Sequence, residues 1–198
     1  MNIKDYNYLL GVYLGDGTYY NDYGIKLTVS LRDKDYNDLL VEILEDNNYN
    51  PRIFEDKNNG CYRITVGDKN NNLAELFCKY KTNRQKDKYN NGKWIINLKD
   101  FDYPEEIIAG IVDTDGSIRY RKKCKKSSHE IVIYQKHKSN LDLLIQQFNK
   151  LFLYPSIMKH RNGKYEMNVL SISHWTQVEI FKRNIPIKHP RKYDKLFC

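Results

Sequence analysis

The chain has 198 residues, with 33 Lys+Arg against 25 Asp+Glu and a formal net charge of +8. This length suits one domain or two fused halves of about 100 residues each, and the basic excess favours a polyanionic partner. No apolar run reaches the roughly 18 residues of a membrane span, and no signal peptide begins the chain. The four cysteines form no Cys-x-x-Cys pair, which argues against a zinc site or disulfide framework. We therefore expect a soluble, intracellular protein that does not contact membranes.

The first predicted element is an apolar helix over residues 5–15, which ends on Gly-Asp-Gly in the stretch LLGVYLGDG. Alternation of apolar and polar residues predicts two strands, 18–23 and 25–31. The segment DLLVEIL then predicts an amphipathic helix, and the Asn59-Gly60 pair predicts a hairpin of two further strands. A last helix through LAELF completes an αββαββα unit.

The second half repeats this order. Asp38 and Pro51 match Asp142 and Pro155 at one offset of 104 residues. We continue the alignment by laying NGCYRITV on NGKYEMNV, which matches Val66 to Val169. The chain is thus interpreted as a tandem duplication of α+β class, with an N-terminal repeat over 1–80, a linker over 81–103 and a C-terminal repeat over 104–198.

The second repeat begins with a predicted helix over 105–114 that also ends on Asp-Gly, in the stretch IIAGIVDTDGS. Predicted strands follow over 117–122 and 130–135. Then come an amphipathic helix through LDLLIQQF, a hairpin at Asn162-Gly163 and a last helix through WTQVEIF.

Each half therefore places an aspartate, Asp16 or Asp115, at the end of an apolar helix. A carboxylate is unfavourable beside the negative end of a helix dipole unless a cation compensates it. Mg²⁺ is commonly held by a few carboxylates together with phosphate oxygens. Small residues spaced four apart would let the two helices approach closely and bring the carboxylates together: Gly11 and Gly15, and Gly110 and Thr114.

The two stretches LLGVYLGDG and IAGIVDTDG resemble the paired motifs of LAGLIDADG homing endonucleases of the single-chain, two-motif type. The resemblance covers nearly the whole chain. It implies two pseudo-twofold-related repeats whose antiparallel four-stranded sheets form a DNA-binding saddle. It also implies a monomer that makes a double-strand break in a long, pseudo-palindromic site of duplex DNA, as in intron homing. Two or three Mg²⁺ ions would serve, with Mn²⁺ or Ca²⁺ able to substitute for binding.

The resemblance also suggests roles for individual residues. Asp16 and Asp115 stand where the family binds metal, and the predicted metal site includes Gly15 and Thr114 beside them. Gln135 and Lys136 match a Gln-Lys pair that assists catalysis, with Arg32 in the corresponding place of the first half. A further lysine is expected after the final helix. Lys188 and Lys192 are both candidates for this lysine, and Lys86 or Lys88 would be its counterpart in the first half.

Strand alternation assigns a groove-facing side to each sheet, and the basic run RYRKKCKK at 119–126 is expected to clamp phosphates. The residues expected to contact DNA are Tyr20, Lys26, Thr28, Ser30, Arg52, Arg63, Thr65, Arg119, Arg121, Lys123, Tyr134, His160 and Asn168, with Asp22, Phe54, Glu130, Val132, Met158 and Glu166 on the same faces.

Three alternatives share the fold. An intron RNA maturase and a non-cleaving DNA-binding protein are each compatible with the pattern, although two intact motif aspartates favour the nuclease. An intein endonuclease domain is disfavoured, because no His-Asn pair precedes the C-terminal end.

Overall fold

A computed structural model describes residues 2–20, 24–67, 73–82, 92–120, 129–162 and 165–197. The first half holds α1 (Ile3–Asp16), β1 (Thr18–Tyr20), β2 (Gly24–Ser30), α2 (Lys34–Asp46), β3 (Pro51–Asp56), β4 (Cys61–Val66) and α3 (Leu73–Cys78). The second holds α4 (Pro104–Asp115), β5 (Gly116–Tyr120), β6 (His129–Gln135), α5 (Lys138–Lys150), β7 (Ser156–Asn162), β8 (Tyr165–Ile172), α6 (Trp175–Asn184) and α7 (Pro190–Phe197).

The strands form two antiparallel four-stranded sheets, ordered β1-β2-β4-β3 and β5-β6-β8-β7. This confirms the predicted α+β class and the twice-used αββαββα order. Helix α7 is an addition that the sequence analysis did not predict. None of the helices among the described residues is long and apolar enough to cross a membrane.

Helices α1 and α4 lie against each other at the centre of the molecule. Asn2 caps the first turn of α1 by accepting a hydrogen bond from the backbone N–H of Lys4, and Pro104 begins α4. Both helices are buried on nearly every side, which explains why their sequences are apolar throughout rather than amphipathic. Each ends at a motif aspartate followed by glycine.

One face of each sheet packs against helices, and the other, the open face, is polar. In the first sheet Ile25, Leu27 and Val29 are buried against the helices. The pairing register places on its open face Lys26, Thr28, Ser30, Arg52, Phe54, Arg63 and Thr65, as the alternation predicts. The backbone of Tyr20 pairs with Gly24, and the Tyr20 side chain lies outside the described part of the structure.

The second sheet departs from prediction at β8. The open face carries Arg119, Glu130, Val132, Tyr134, Met158 and His160, as expected. Asn168 pairs with Gln135, however, on the face that packs against helices, and Glu166 shares that face. The prediction that these two residues face the groove is therefore wrong. Met167 and Val169 take their place on the open face.

The error comes from the length of the β7–β8 hairpin. Lys26 pairs with Thr65, whereas its counterpart Val132 pairs with Ser171, so β4 and β8 correspond at an offset of 106 residues. The sequence alignment, anchored on the two Asn-Gly pairs, used 103. Because side chains alternate with a period of two, a slip of three residues exchanges the two faces of a strand.

Candidate active site

The motif helices touch through their small residues. A Cβ atom built on Gly11 would lie 2.1 Å from the carbonyl oxygen of Ile107, and one on Gly110 would lie 2.3 Å from that of Tyr8. Neither backbone could yield to such a contact. A Cβ on Gly15 would meet the Thr114 hydroxyl oxygen at 1.9 Å. The C-terminal ends of α1 and α4 are thus held together by the spacing of four that the sequence shows.

This crossing brings the two motif carboxylates into one site. A Cβ on Gly15 of α1 would stand 3.4 Å from the Asp115 Oδ2 atom of α4. Burial raises the pKa of Asp115 to about 7, and the negative charge of Asp16 adds to the increase. The Asp16 side chain is exposed, yet it lies among protein atoms that replace part of its water, and this desolvation raises its pKa. The charge of Asp16 thus makes ionisation of Asp115 costly.

Two lysines, the half-buried Lys81 and the buried Lys192, cap the helix ends beside the carboxylates. The ammonium group of Lys81 donates to the carbonyl oxygens of Tyr13, Gly15 and Gly17, at 3.1, 2.7 and 3.1 Å. The ammonium group of Lys192 donates to those of Val112, Asp113 and Thr114, at 2.9, 2.6 and 3.3 Å. A cation at the negative end of a helix is favourable, so each lysine compensates both the dipole and the acids.

The charge state of these lysines is finely balanced. Burial lowers the pKa of each ammonium to about 8, although Asp16 and Asp115 both act to raise it. Lys192 is one of the two lysines that the sequence analysis left open. Lys81 was missed, because the segment that carries it was interpreted as linker and its counterparts were sought at Lys86 and Lys88, which lie outside the described residues.

Lys188 lies at the opposite end of the motif helices. Its ammonium nitrogen is 3.4 Å from Glu106 and 3.7 Å from Asp5, in the first turns of α4 and α1, and 4.4 Å from the centre of the Tyr8 ring. The suggestion that Lys188 assists catalysis is therefore wrong. Its contacts instead fix the two helix starts to the C-terminal segment.

A hydrogen-bonded chain orients Asp115. The Gln135 amide nitrogen donates to the Asp115 carboxylate, and its oxygen accepts from Asn140 at 2.9 Å. Asn140 in turn accepts from the backbone N–H of Trp94, whose indole donates to the Leu14 carbonyl oxygen at 3.0 Å. The Gln135 amide is therefore locked with its donor toward the acid.

Among the described residues of the first half, no amide takes the equivalent place. Thr18 and Ser117 each lie two residues after a motif aspartate, and they pair with Lys26 and Val132 respectively. Lys26 and Val132 are therefore equivalent positions. Counting on along the strands, Val29 and Ser30 correspond to Gln135 and Lys136. Arg32 lies beyond this position, exposed in a 3-10 turn, and the cations that act on the Asp16 carboxyl are Lys81 and Lys192. The assignment of Arg32 as the partner of Lys136 is wrong.

Asp113, two residues before the motif acid, is a buried group that the sequence analysis did not single out. It accepts hydrogen bonds from the Tyr8 hydroxyl at 2.8 Å and from the backbone N–H groups of Lys188 and His189 at 2.8 and 3.0 Å. Burial still raises its pKa to about 6. Leu14 takes the equivalent place in α1. An acidic residue within an apolar motif was the available signal.

The site opens toward the polar side of the second sheet. A cavity of about 190 Å³ is lined by Gly15, Lys81, Asp115, Tyr134, Gln135 and Lys136, with Leu14, Gly92, His137 and Met167. Tyr134 and Met167 belong to the open face, which connects the carboxylates to that surface. Lys136 is exposed at this opening, and the Asn168 amide supports it by donating to its carbonyl oxygen at 2.9 Å.

Within the described part of the chain, no group of three or more His, Cys, Asp or Glu side chains is clustered to hold a metal. The two carboxylates therefore make an incomplete ligand set, which suits an ion that also binds substrate oxygens. The carbonyl oxygens of Gly15 and Thr114, proposed beside them as ligands, already accept hydrogen bonds from Lys81 and Lys192.

The predicted DNA contacts divide into three groups. Arg119 contacts the Tyr134 hydroxyl, and Arg63 is paired with Asp56, so both arginines are oriented on the open faces. Asn168 lies on the other side of its sheet. Arg121 and Lys123, with Asp22 and most of the basic run, lie outside the described residues.

Comparison with solved structures identifies the fold. The homing endonuclease I-WcaI, bound to its DNA recognition sequence, aligns with 99% of this chain and 87% of its own, at 20% identity and a TM-score of 0.69. I-DmoI in complex with DNA and Ca aligns over 98% of both chains, at 18% identity and a TM-score of 0.60. I-DmoI has also been solved with DNA and Mn.

The N-terminal LAGLIDADG domain of DUF199/WhiA is similar as well, with a TM-score of 0.63 and 15% identity over 98% of this chain and 87% of that domain. No protein-family model and no curated protein match the sequence. These likenesses confirm that the chain has the two-repeat LAGLIDADG fold.

Proposed function

We propose that the protein is a metal-dependent endonuclease that makes a double-strand break in a specific site of duplex DNA. The observation that carries the proposal is the convergence of Asp16 and Asp115, each beside a capping lysine, at the crossing of α1 and α4. Two acids related by the repeat suit two phosphodiesters, one on each strand. Because a single chain contains both, it would act as a monomer.

The substrate follows from the surface around the site. Basic and polar side chains line the open faces of both sheets, and donors, acceptors and apolar tips are mixed there as groove readout requires. The two faces carry different residues, so the target should be long and only weakly palindromic. I-WcaI and I-DmoI, which share the fold, were both solved with DNA. Intron homing is the role that the sequence resemblance suggests.

The donor set fits a hard divalent cation. Burial raises the pKa values of Asp16 and Asp115, and the charge of Asp16 raises that of Asp115 further; a bound cation would favour the ionised form of both carboxylates. When bound there, Mg²⁺ would lower the pKa of a coordinated water and stabilise charge on the phosphate. The structures of I-DmoI with DNA and Ca or Mn support the use of a divalent ion. We expect two or three ions.

Side chains of the protein itself would orient the carboxylates and neutralise charge on the phosphates. Gln135 holds the Asp115 carboxylate in one orientation through its amide donor. Lys81 and Lys192 place positive charge at both helix ends, where it can offset charge that develops on the phosphates. Lys136, exposed at the mouth of the cavity, is positioned to contact the DNA backbone.

Cleavage of a randomised duplex library with Mg²⁺ tests the proposal. The full chain should enrich one long, imperfectly palindromic site that is cut in both strands, and the double variant Asp16→Asn/Asp115→Asn should enrich nothing while still binding that site. Arg52→Ala, on the open face away from the acids, should instead weaken binding of the enriched site.

A non-cleaving DNA-binding protein or an intron RNA maturase is the alternative. The fold alone does not separate them, because a domain described as part of DUF199/WhiA shares it. The intact pair of acids favours cleavage. Tight binding of duplex DNA or of intron RNA, without cutting under Mg²⁺ or Mn²⁺, would overturn the nuclease and support the alternative.

A further inference from the structure

We infer that the second repeat carries a separate binding surface for single-stranded nucleic acid, on its helix side. Four large aromatic side chains are exposed there: Tyr120 by 68%, Trp175 by 49%, Tyr193 by 48% and Phe197 by 45%. With His129 and Lys182 between them, these four form what we call the aromatic surface. The inference is independent of the proposed cleavage, because it uses none of the residues of the candidate active site.

The rings of α7 form an organised stack. Tyr193 and Phe197 are one helical turn apart, and their ring centres lie 4.5 Å apart at 30°. The ammonium group of Lys182 lies over the Phe197 ring, 5.7 Å from its centre. Phe197 thus contacts both a cation and a second ring. Tyr193 is 48% exposed, so part of its ring can meet a planar partner.

The surface continues on both sides of this stack. Trp175 and Lys182 lie seven residues apart on one stripe of α6, about 10 Å along the helix axis. On the other side, the His129 ring meets Tyr120 edge-to-face with ring centres 5.7 Å apart. His129 lies near enough to Lys182 that the lysine's charge helps burial to lower the pKa of the imidazole.

The aromatic surface faces away from the proposed duplex site. Tyr120 pairs with His129, and both share the sheet face of Ile118 and Ile131, which packs against the helices. Arg119, the neighbour of Tyr120, points to the opposite, open face. A duplex lying on the open faces would leave the aromatic surface uncovered.

The chemistry of the surface suits unpaired bases. Exposed rings let successive bases stack, and nearby cations attract the phosphates, as in proteins that bind single strands with little sequence preference. Lys182 and Arg183 supply positive charge, opposed by Glu179, which pairs with Lys182 at 3.1 Å. The large exposed groups are aromatic rather than aliphatic, which does not suit a groove for an apolar protein helix. The net charge of +8 adds long-range attraction.

Fluorescence anisotropy with a labelled 15-nucleotide oligo-U and a labelled oligo-dT tests the inference. The full chain is used in EDTA, with unlabelled random duplex in excess to occupy the open faces. We expect binding of single strands to persist under the duplex and to weaken at least tenfold in Tyr193→Ala. Equal affinity for the two probes would indicate stacking alone, and tighter binding of oligo-U would indicate additional contacts to the ribose; both support the surface.

Ile53→Ala is the control. Ile53 is exposed by 50% in β3 of the first repeat, outside the aromatic surface, so its loss should leave single-strand binding unchanged. Trp175 gives a second readout, because the other tryptophan, Trp94, is buried, and a base stacked on Trp175 should quench its fluorescence. Displacement of the single strands by duplex, or an equal loss in Ile53→Ala and Tyr193→Ala, would overturn the inference.

Discussion

The two motif ends share their charges and differ in their neighbours. In the first half, Asp16 ends α1 beside Lys81, and Val29 stands on the adjacent strand. In the second half, Asp115 ends α4 beside Lys192, and the adjacent strand offers Gln135, whose amide donates to the acid. Each half thus has an aspartate that can bind a cation and a lysine that can offset the charge of a phosphodiester. Within the ranges that the structure describes, an amide of this kind stands beside Asp115 and not beside Asp16.

The same contrast appears one turn earlier. Leu14 in α1 is an ordinary core residue, whereas its counterpart Asp113 binds the C-terminal segment through Lys188 and His189. In the second half, Gln135 thus holds the acid and Asp113 holds the C-terminal segment, whereas Val29 and Leu14 at the matching places are apolar. The two strands of a duplex would therefore meet inequivalent sites, even though the carboxylates are related by the repeat.

The stability of the protein should be equally sensitive to substitutions in either half where α1 and α4 cross. Gly11→Ala and Gly110→Ala each force a Cβ into the backbone of the other helix, so we expect each to lower the free energy of unfolding by about 4 kcal/mol or to prevent folding. Gly67→Ala is the control, because nothing lies within 4 Å of its Cβ position. Thermal unfolding measures all three. Tolerance of either helix substitution would show that the crossing is looser than described.

The two capping lysines, Lys81 and Lys192, should also contribute equally to the rate of cleavage. Lys81→Met and Lys192→Met each remove a cation beside the acids, and we expect each to slow cleavage about 100-fold. Lys99→Met, exposed and distant, should leave the rate unchanged. Single-turnover rates on a target labelled on each strand provide the measurement. A large loss for one lysine and none for the other would contradict the pairing of Lys81 with Lys192.

The acids should differ in how they affect stability without metal. Because the pKa of Asp115 rises to about 7 on folding, its neutral form stabilises the native state below pH 4, and that contribution is lost as pH rises through 7. At pH 8, Asp115→Asn should therefore raise the free energy of unfolding by about 2 kcal/mol. Asp16→Asn should give a smaller gain.

Urea unfolding at pH 5 and pH 8, with and without Mg²⁺, measures these effects. Mg²⁺ should stabilise the native protein and not the Asp115→Asn variant. An Asp115→Asn variant that is less stable than the native protein at pH 8 would show that the carboxylate is not destabilising when ionised.

The smallest effect concerns the amide. Gln135→Ala should slow cutting of one strand about tenfold, since Asp115 loses the donor that orients it, and leave the other strand within twofold. Val29→Ala, at the corresponding place, removes no contact to Asp16 and should change the ratio of the two rates little. Equal slowing of both strands by Gln135→Ala would indicate that the amide serves the whole site.

The elements could be predicted because their signals are local. Apolar helices that end on Asp-Gly, alternating strands and Asn-Gly turns depend on neighbouring residues, and the repeat made each signal visible twice. The close approach of Gly11 and Gly110 followed from the same local spacing.

What the sequence did not reveal depends on pairing between distant segments. The register of β8 reversed the expected face of Asn168, because hairpin lengths differ between the repeats. Lys81 follows α3 in the polar segment taken as linker, and only the folded chain brings it to Gly15. Lys188 and Lys192 are four residues apart, yet they contact opposite ends of the motif helices.

The most direct test of the central claim is strand-resolved cleavage of the enriched site by Asp16→Asn and Asp115→Asn, each measured separately with Mg²⁺. If the two carboxylates act together over the phosphates, either substitution should lower double-strand cleavage by a factor of about 1,000 or more, while affinity for the site in EDTA stays within a few-fold. Full double-strand cleavage by either variant would contradict the account.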